Sequence, residues 1–82
     1  MRIDKFLNTT NILKSRHIAQ DMLENQLIKV NSIIIKPSKN VKIGDIIEVQ
    51  FLEYCKKYKI LALPTTKTIP KNKKDLYIKE LS

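Results

Sequence analysis

At residue 27 the apolar pattern of the chain changes period, and that change decides the class of fold. Before it, Ile3, Phe6 and Leu7 fall at i, i+3 and i+4 and share one face of a helix. Asp4 near the start suits the positive end of that helix, and Asn8-Thr9-Thr10-Asn11 ends it. Ser15 is placed to cap a second helix, with Ile18, Ala19, Met22 and Leu23 as its apolar face and Asn25 at its end in the left-handed conformation. After residue 27 the runs are short and β-branched. Leu27 to Val30 and Ile33 to Ile35 flank Asn31-Ser32 and read as a hairpin. Lys42-Ile43-Gly44-Asp45 is a turn, followed by strands over Ile46 to Phe51 and Lys57 to Leu63. Helices first and strands after give an α+β fold, with two N-terminal helices packed on a small antiparallel sheet. Residues 1–64 are expected to form the domain. Residues 65–82 read as a basic linker ending in a short C-terminal helix over Asp75 to Leu81.

Charge narrows the function. The 82 residues hold 16 Lys/Arg against 8 Asp/Glu, a net charge of +8. The resulting pI near 9.8 is that of a nucleic-acid binder. Abundant Lys, Ile and Asn also fit an AT-rich genome, which raises the lysine count without selection for binding. The single cysteine, Cys55, excludes an internal disulfide and reads as an ordinary strand residue. With one Cys and one His, a zinc site would need carboxylates, so no metal or cofactor is expected. No apolar run approaches the roughly 20 residues of a membrane span, and Met1 to Lys5 lacks the apolar stretch of a signal peptide. The expected setting is the cytoplasm, with no membrane partner and no small-molecule substrate.

Enzyme signatures are missing. There is no glycine-rich phosphate loop and no nucleophile elbow, and the chain has one glycine in all. His17, the one residue suited to general-base work near neutral pH, has no nucleophile or metal partner beside it and reads as RNA- or solvent-facing. Asp4, Asp21 and Glu24 read as helix-surface charges.

The positive signal is arrangement. Arg2 and Lys5 stand at the start of the first helix, and Lys14, Ser15, Arg16 and His17 at the start of the second. Asp4 is the only acid in the first twenty residues. Helix starts carry unpaired N–H groups and partial positive charge, so cations placed there suit a phosphate. Lys36, Ser38 and Lys39 follow the hairpin and extend the patch. The alternative is a solvated basic face. A second cluster, Lys56, Lys57, Lys59, Lys67, Lys71, Lys73 and Lys74, suits non-specific attraction to a nucleic-acid backbone or plain solubility. Tyr54, Tyr58 and Tyr77 read as packing residues before stacking platforms.

Arg2 to Leu7, Lys14-Ser15-Arg16 with Ala19, Val30-Asn31, Lys36-Pro37-Ser38 and Val41 to Asp45 together resemble the S4 RNA-binding domain, in order and spacing, across residues 1–51. The chain looks like a freestanding member of the ribosome-associated, heat-shock-type branch. The resemblance implies binding to large-subunit (50S) rRNA and to the peptidyl-tRNA retained on a subunit after translation has failed. Nothing in the sequence demands a dimer, and a monomer is expected. The resemblance makes Arg2 and Arg16 the principal RNA contacts. Asp4 and Lys5 match its N-terminal motif, and Lys14, Lys36 and Ser38 match supporting positions. Two departures stand out: Asn11 and Ser15 replace usual basic residues, and Gln26 and Ser32 replace usual glycines. The competing readings are a tRNA or mRNA module acting away from the ribosome, and the appended domain of an RNA-modifying or tRNA-charging enzyme.

Overall fold

The structure, a computed structural model, describes residues 1–65 and 69–81. Helices α1 (Ile3–Thr9) and α2 (Arg16–Glu24) precede strands β1 (Ile28–Val30), β2 (Ile33–Ile34), β3 (Ile46–Gln50) and β4 (Cys55–Ile60); a 3-10 helix (Lys71–Leu76) leads into β5 (Ile78–Glu80). The strands form one antiparallel sheet in the order β2-β1-β3-β4-β5.

The core lies between the helices and one face of this sheet. Ile3, Phe6, Leu7, Ala19 and Leu23 meet Ile28, Val30, Ile47, Val49, Tyr58, Ile60 and Ile78. Each fully buried aliphatic or aromatic side chain contributes about 1.5–3 kcal/mol. Alternate strand residues then face outward, as period 2 requires. Ile18 does not join the core; it is 44% exposed.

Left-handed backbone shapes the turns. Asn11 (φ 60°) takes the chain out of α1. Asn31 (φ 52°) and Ser32 (φ 68°) make the type I′ turn that matches strand twist. Asn31 also ties this hairpin to the next turn: its Oδ1 accepts from Ile46 N at 3.0 Å and its Nδ2 donates to the buried Asp45 at 3.1 Å. There Gly44 (φ 95°) bends the chain, and Asp45 Oδ2 accepts from Lys42 N at 3.0 Å. After α2 the left-handed residue is Gln26 (φ 61°), one position later than expected, since Asn25 keeps φ −86°. Gln26 N donates to Leu23 O and Leu27 N to Met22 O, the two bonds of a Schellman motif.

The C-terminal segment departs most from expectation. Its helical turn comes earlier, at Lys71–Leu76, and Ile78–Glu80 continues as a strand on the free edge of β4, so the stretch read as a linker with a helical tail completes the sheet. The strand buries Ile78 opposite Ile60 and satisfies the β4 edge, with Leu81 N donating to Lys57 O at 2.8 Å. Ile69 is buried as well, and the Asn11 side-chain amide donates to its carbonyl at 3.0 Å. Lys67 and the side chain of Lys71 lie outside the described residues.

Candidate nucleic-acid interface

The site is organised from beneath by Asp4. Its place in the sequence, three residues before Leu7, puts it on the flank of the buried face of α1, and its side chain is fully buried. Four donors reach it. Oδ1 accepts from Lys5 N at 2.8 Å. Oδ2 accepts from Arg2 Nη2 at 3.2 Å and from Gln20 Nε2 at 3.0 Å, and lies 3.3 Å from Arg16 Nε. Burial alone would push the Asp4 carboxyl up. The Gln20 amide, the Lys5 N–H and the Arg16 guanidinium together outweigh that and hold it below the usual carboxylate range.

Both guanidinium groups stay accessible: the Arg2 and Arg16 side chains are 47% and 44% exposed while the carboxylate between them is sealed. The two helix beginnings therefore converge. Arg2 is the residue before α1, and Arg16 is the first residue of α2. Asp4 is an organiser rather than a surface contact, a correction to its reading as an exposed charge.

The surrounding elements fix this corner. Ile3 N, one of the unpaired donors at the start of α1, is satisfied by Lys39 O at 2.8 Å. Val41 N donates to Met1 O at 2.9 Å, and Arg2 bridges Asn40 across the same contact. Lys36 and Ser38 are exposed on the turn leading into this contact, where Lys39 N donates to Lys36 O at 3.0 Å. Ser15 caps α2, its hydroxyl accepting from Ile18 N at 3.1 Å, so it holds the first turn that carries Arg16. Lys14 is exposed on the α1–α2 turn, where the Asn8 amide holds its carbonyl at 3.3 Å. Lys5 and His17 are exposed beside the two arginines in sequence, and no side-chain hydrogen bond holds either among the described residues.

One participant was not visible from charge and motif alone, nor was one contact that reaches the α1–α2 turn from the far end of the chain. Gln20 lies one helical turn after Arg16, and that i, i+4 spacing is the signal that places both on Asp4. Lys74 comes from the far end of the chain: its Nζ lies 3.4 Å from Asn11 O, on the α1–α2 turn. Nothing local to residues 65–76 predicts that contact.

An S4 domain model matches residues 1–47, more than half of the chain. A Helicobacter pylori (strain J99) protein named RQC P-site tRNA stabilizing factor is 42% identical over 78 residues, covering 95% of this chain and 93% of its own. The trimeric structure of Vibrio cholerae Heat Shock Protein 15 superposes with a TM-score of 0.90 at 26% identity, covering all of this chain and 82% of that one. The solution structure of a hypothetical protein, HP1423, superposes with a TM-score of 0.86 at 38% identity over all of this chain and 98% of that one. An acid-anchored pair of arginines at two converging helix starts, set on a five-stranded sheet, is how this chain presents the shared fold: it belongs to the S4 domain family.

Proposed function

We propose that this chain binds structured RNA of the large ribosomal subunit together with the peptidyl-tRNA held there, and stabilises that tRNA on subunits where translation has stalled. The observation carrying the reading is the pair of half-exposed guanidinium groups held on one buried carboxylate. Folded RNA offers phosphates and 2′-hydroxyls more readily than base edges. A planar guanidinium matches a phosphate through a rigid fork of donors, and anchoring it beforehand lowers the entropy cost of binding. The name of the 42%-identical relative supports the P-site setting. Lys5, Lys14, His17, Lys36 and Ser38 flank the pair, and Asp4 and Ser15 act through the arginines.

Positioned cations are all that this role asks for, so the chain acts as a binding protein in the cytoplasm and not as an enzyme. One copy carries every residue of the site, and the proposed working unit is a monomer.

The test is co-sedimentation with large subunits that retain peptidyl-tRNA. Arg2→Lys and Arg16→Lys keep a counter-charge for Asp4 and so keep the fold, but remove the fork. Each is expected to weaken association about tenfold, the 1.4 kcal/mol scale of one charge-assisted contact. Folded variants that co-sediment as the parent does would overturn the assignment. Association of the parent with free tRNA alone would replace it with a role away from the ribosome.

A further inference from the structure

Helix packing covers one face of the sheet; the other face is open, and its register collects lysines. Lys29 on β1 pairs with Glu48 on β3, which pairs with Lys57 on β4. In the next outward-facing row, Lys59 on β4 stands directly opposite Lys79 on β5. Lys29, Lys57, Lys59 and Lys79 are all exposed, and together they cross the sheet from β1 to β5, about 14 Å at the usual spacing between strands. Glu48 is the one acid among them, and its contact with Lys57 is long, 3.9 Å. Among the described residues no acid lies within ion-pair distance of Lys29, Lys59 or Lys79.

This face departs from what solubility alone selects. An open sheet face is stabilised by opposite charges across strands, and like charges directly opposite are destabilising. Soluble surfaces intersperse the two signs. The Lys29–Glu48–Lys57 row follows that rule, but Lys59 faces Lys79, and the face sets four lysines against one acid.

We propose that the outer face of the sheet is a second RNA-binding surface, which holds the sugar–phosphate backbone of a separate RNA segment. Lysines are point charges on flexible stems, suited to phosphates without sequence preference. The four carry no exposed aromatic among them; the apolar residues beside them are the partly buried Ile46 at the centre of the face and the exposed Ile34, opposite Lys29 on the β2 edge. The centre of the face lacks the buried apolar or aromatic anchor that a protein partner would want, and four lysines against one acid favour a polyanion; binding to vesicles instead would assign the apolar β2 edge to a lipid surface. The arginine site is carried by the two helix starts, and the lysines stand on the sheet face that the helices do not cover. Two segments can be held at once, one on each face. The inference rests on the chain working on RNA, and not on Arg2 or Arg16 being the principal contacts.

The experiment counts RNA hairpins bound per protein by native mass spectrometry and measures the salt dependence of binding by fluorescence anisotropy. The parent is compared with the full-length quadruple variant Lys29→Gln, Lys57→Gln, Lys59→Gln, Lys79→Gln and with the matching quadruple Lys→Arg variant. The parent is expected to take two hairpins. The glutamine variant should take one, with the tighter affinity kept within about twofold, and the arginine variant should restore the second. The salt slope of the second event should disappear with it; that slope amounts to about 0.7–0.9 for each phosphate the lysines neutralise. Removing the Lys59–Lys79 repulsion keeps the glutamine variant folded, with a Tm no lower than the parent's. A glutamine variant that still takes two hairpins with an unchanged slope overturns the proposal. So does a parent that takes one hairpin while this face binds anionic vesicles or an acidic peptide. Lysine-for-arginine changes at positions 2 and 16 that alter nothing would sink the P-site reading and leave this face standing, so the two failures are distinguishable.

Discussion

On the helix side, two guanidinium groups share one carboxylate oxygen; on the outer face of the sheet, Lys29, Lys59 and Lys79 lie beyond ion-pair distance of every described acid. The first arrangement gives up some positive charge to gain position. Asp4 offsets one of its two arginines, yet it fixes both relative to the two helix starts. The second keeps most of its charge, offset only by Glu48 in a 3.9 Å contact with Lys57, and holds it loosely. A site that must recognise a shape benefits from the first design, because ordering a rotamer-rich side chain on binding costs roughly 0.5–1.5 kcal/mol each. A surface that only has to attract a backbone benefits from the second.

Asp4→Asn separates the two designs most sharply and has the largest expected effect. A purely coulombic helix face would bind RNA more tightly after the removal of a negative charge. If position matters more, releasing the two arginines weakens binding on that face tenfold or more, the scale of re-ordering two long side chains. The lysine face should be unaffected. Stability falls as well, by about 2–3 kcal/mol, because the Lys5 N–H, Gln20 and both arginines are deprived of a charged acceptor at a buried site. Chemical denaturation and anisotropy on the same preparations measure both.

Acid reaches the same carboxylate without a mutation. Its folded pKa lies below its ordinary value, so the stability it contributes is fully present above the unfolded value near 3.9 and is lost as the pH falls through the folded one. Below about pH 4 the parent should therefore lose Tm more steeply than Asp4→Asn, and the two melting curves should draw together. Parallel Tm profiles between pH 6 and 2.5 would mean that the carboxylate is not the anchor. Ser15→Ala is a milder version of the same damage. It removes the cap of α2 and should cost about 1 kcal/mol of stability. Arg16 frays with the first turn, so helix-face affinity should drop less than with Asp4→Asn, while the lysine face again stays unchanged.

How far each region is legible in the sequence follows the physics that shapes it. Residues 1–51 are legible because their cues are local. The i, i+3, i+4 spacing of Ile3, Phe6 and Leu7 gives a buried helix face, Ser15 gives a cap, and Asn31-Ser32 between β-branched runs gives the hairpin. The convergence of Arg2 and Arg16 is legible as well. Their common partner is not: an acid at position 4 fits an exposed helix start as well as a buried anchor, and only packing against α2 and the Lys39–Val41 segment decides. The C-terminal residues escape a local reading because their structure is set from a distance. Ile78–Glu80 is a strand because β4 has an open edge, and Ile69 is fixed by Asn11, 58 residues away in sequence. The lysine face needs the register of four strands before its charges line up.

Ser32→Gly has the smallest expected effect and acts on the lysine side of the comparison. Ser32 holds φ 68° at the tip of the hairpin that carries Lys29, a conformation costing an L-residue roughly 1–2 kcal/mol that glycine adopts freely. Glycine also gives up more entropy on folding, which returns part of that gain, so the net rise in stability should be about 0.5 kcal/mol. The substitution moves no charge. If the sheet face attracts RNA through flexible stems, a firmer β1–β2 turn leaves its affinity and salt slope where they were, and only the denaturation midpoint shifts. An affinity that rises along with the midpoint would mean that Lys29 is held in place for its ligand, and the lysine face would then belong with the arginine site as a positioned one.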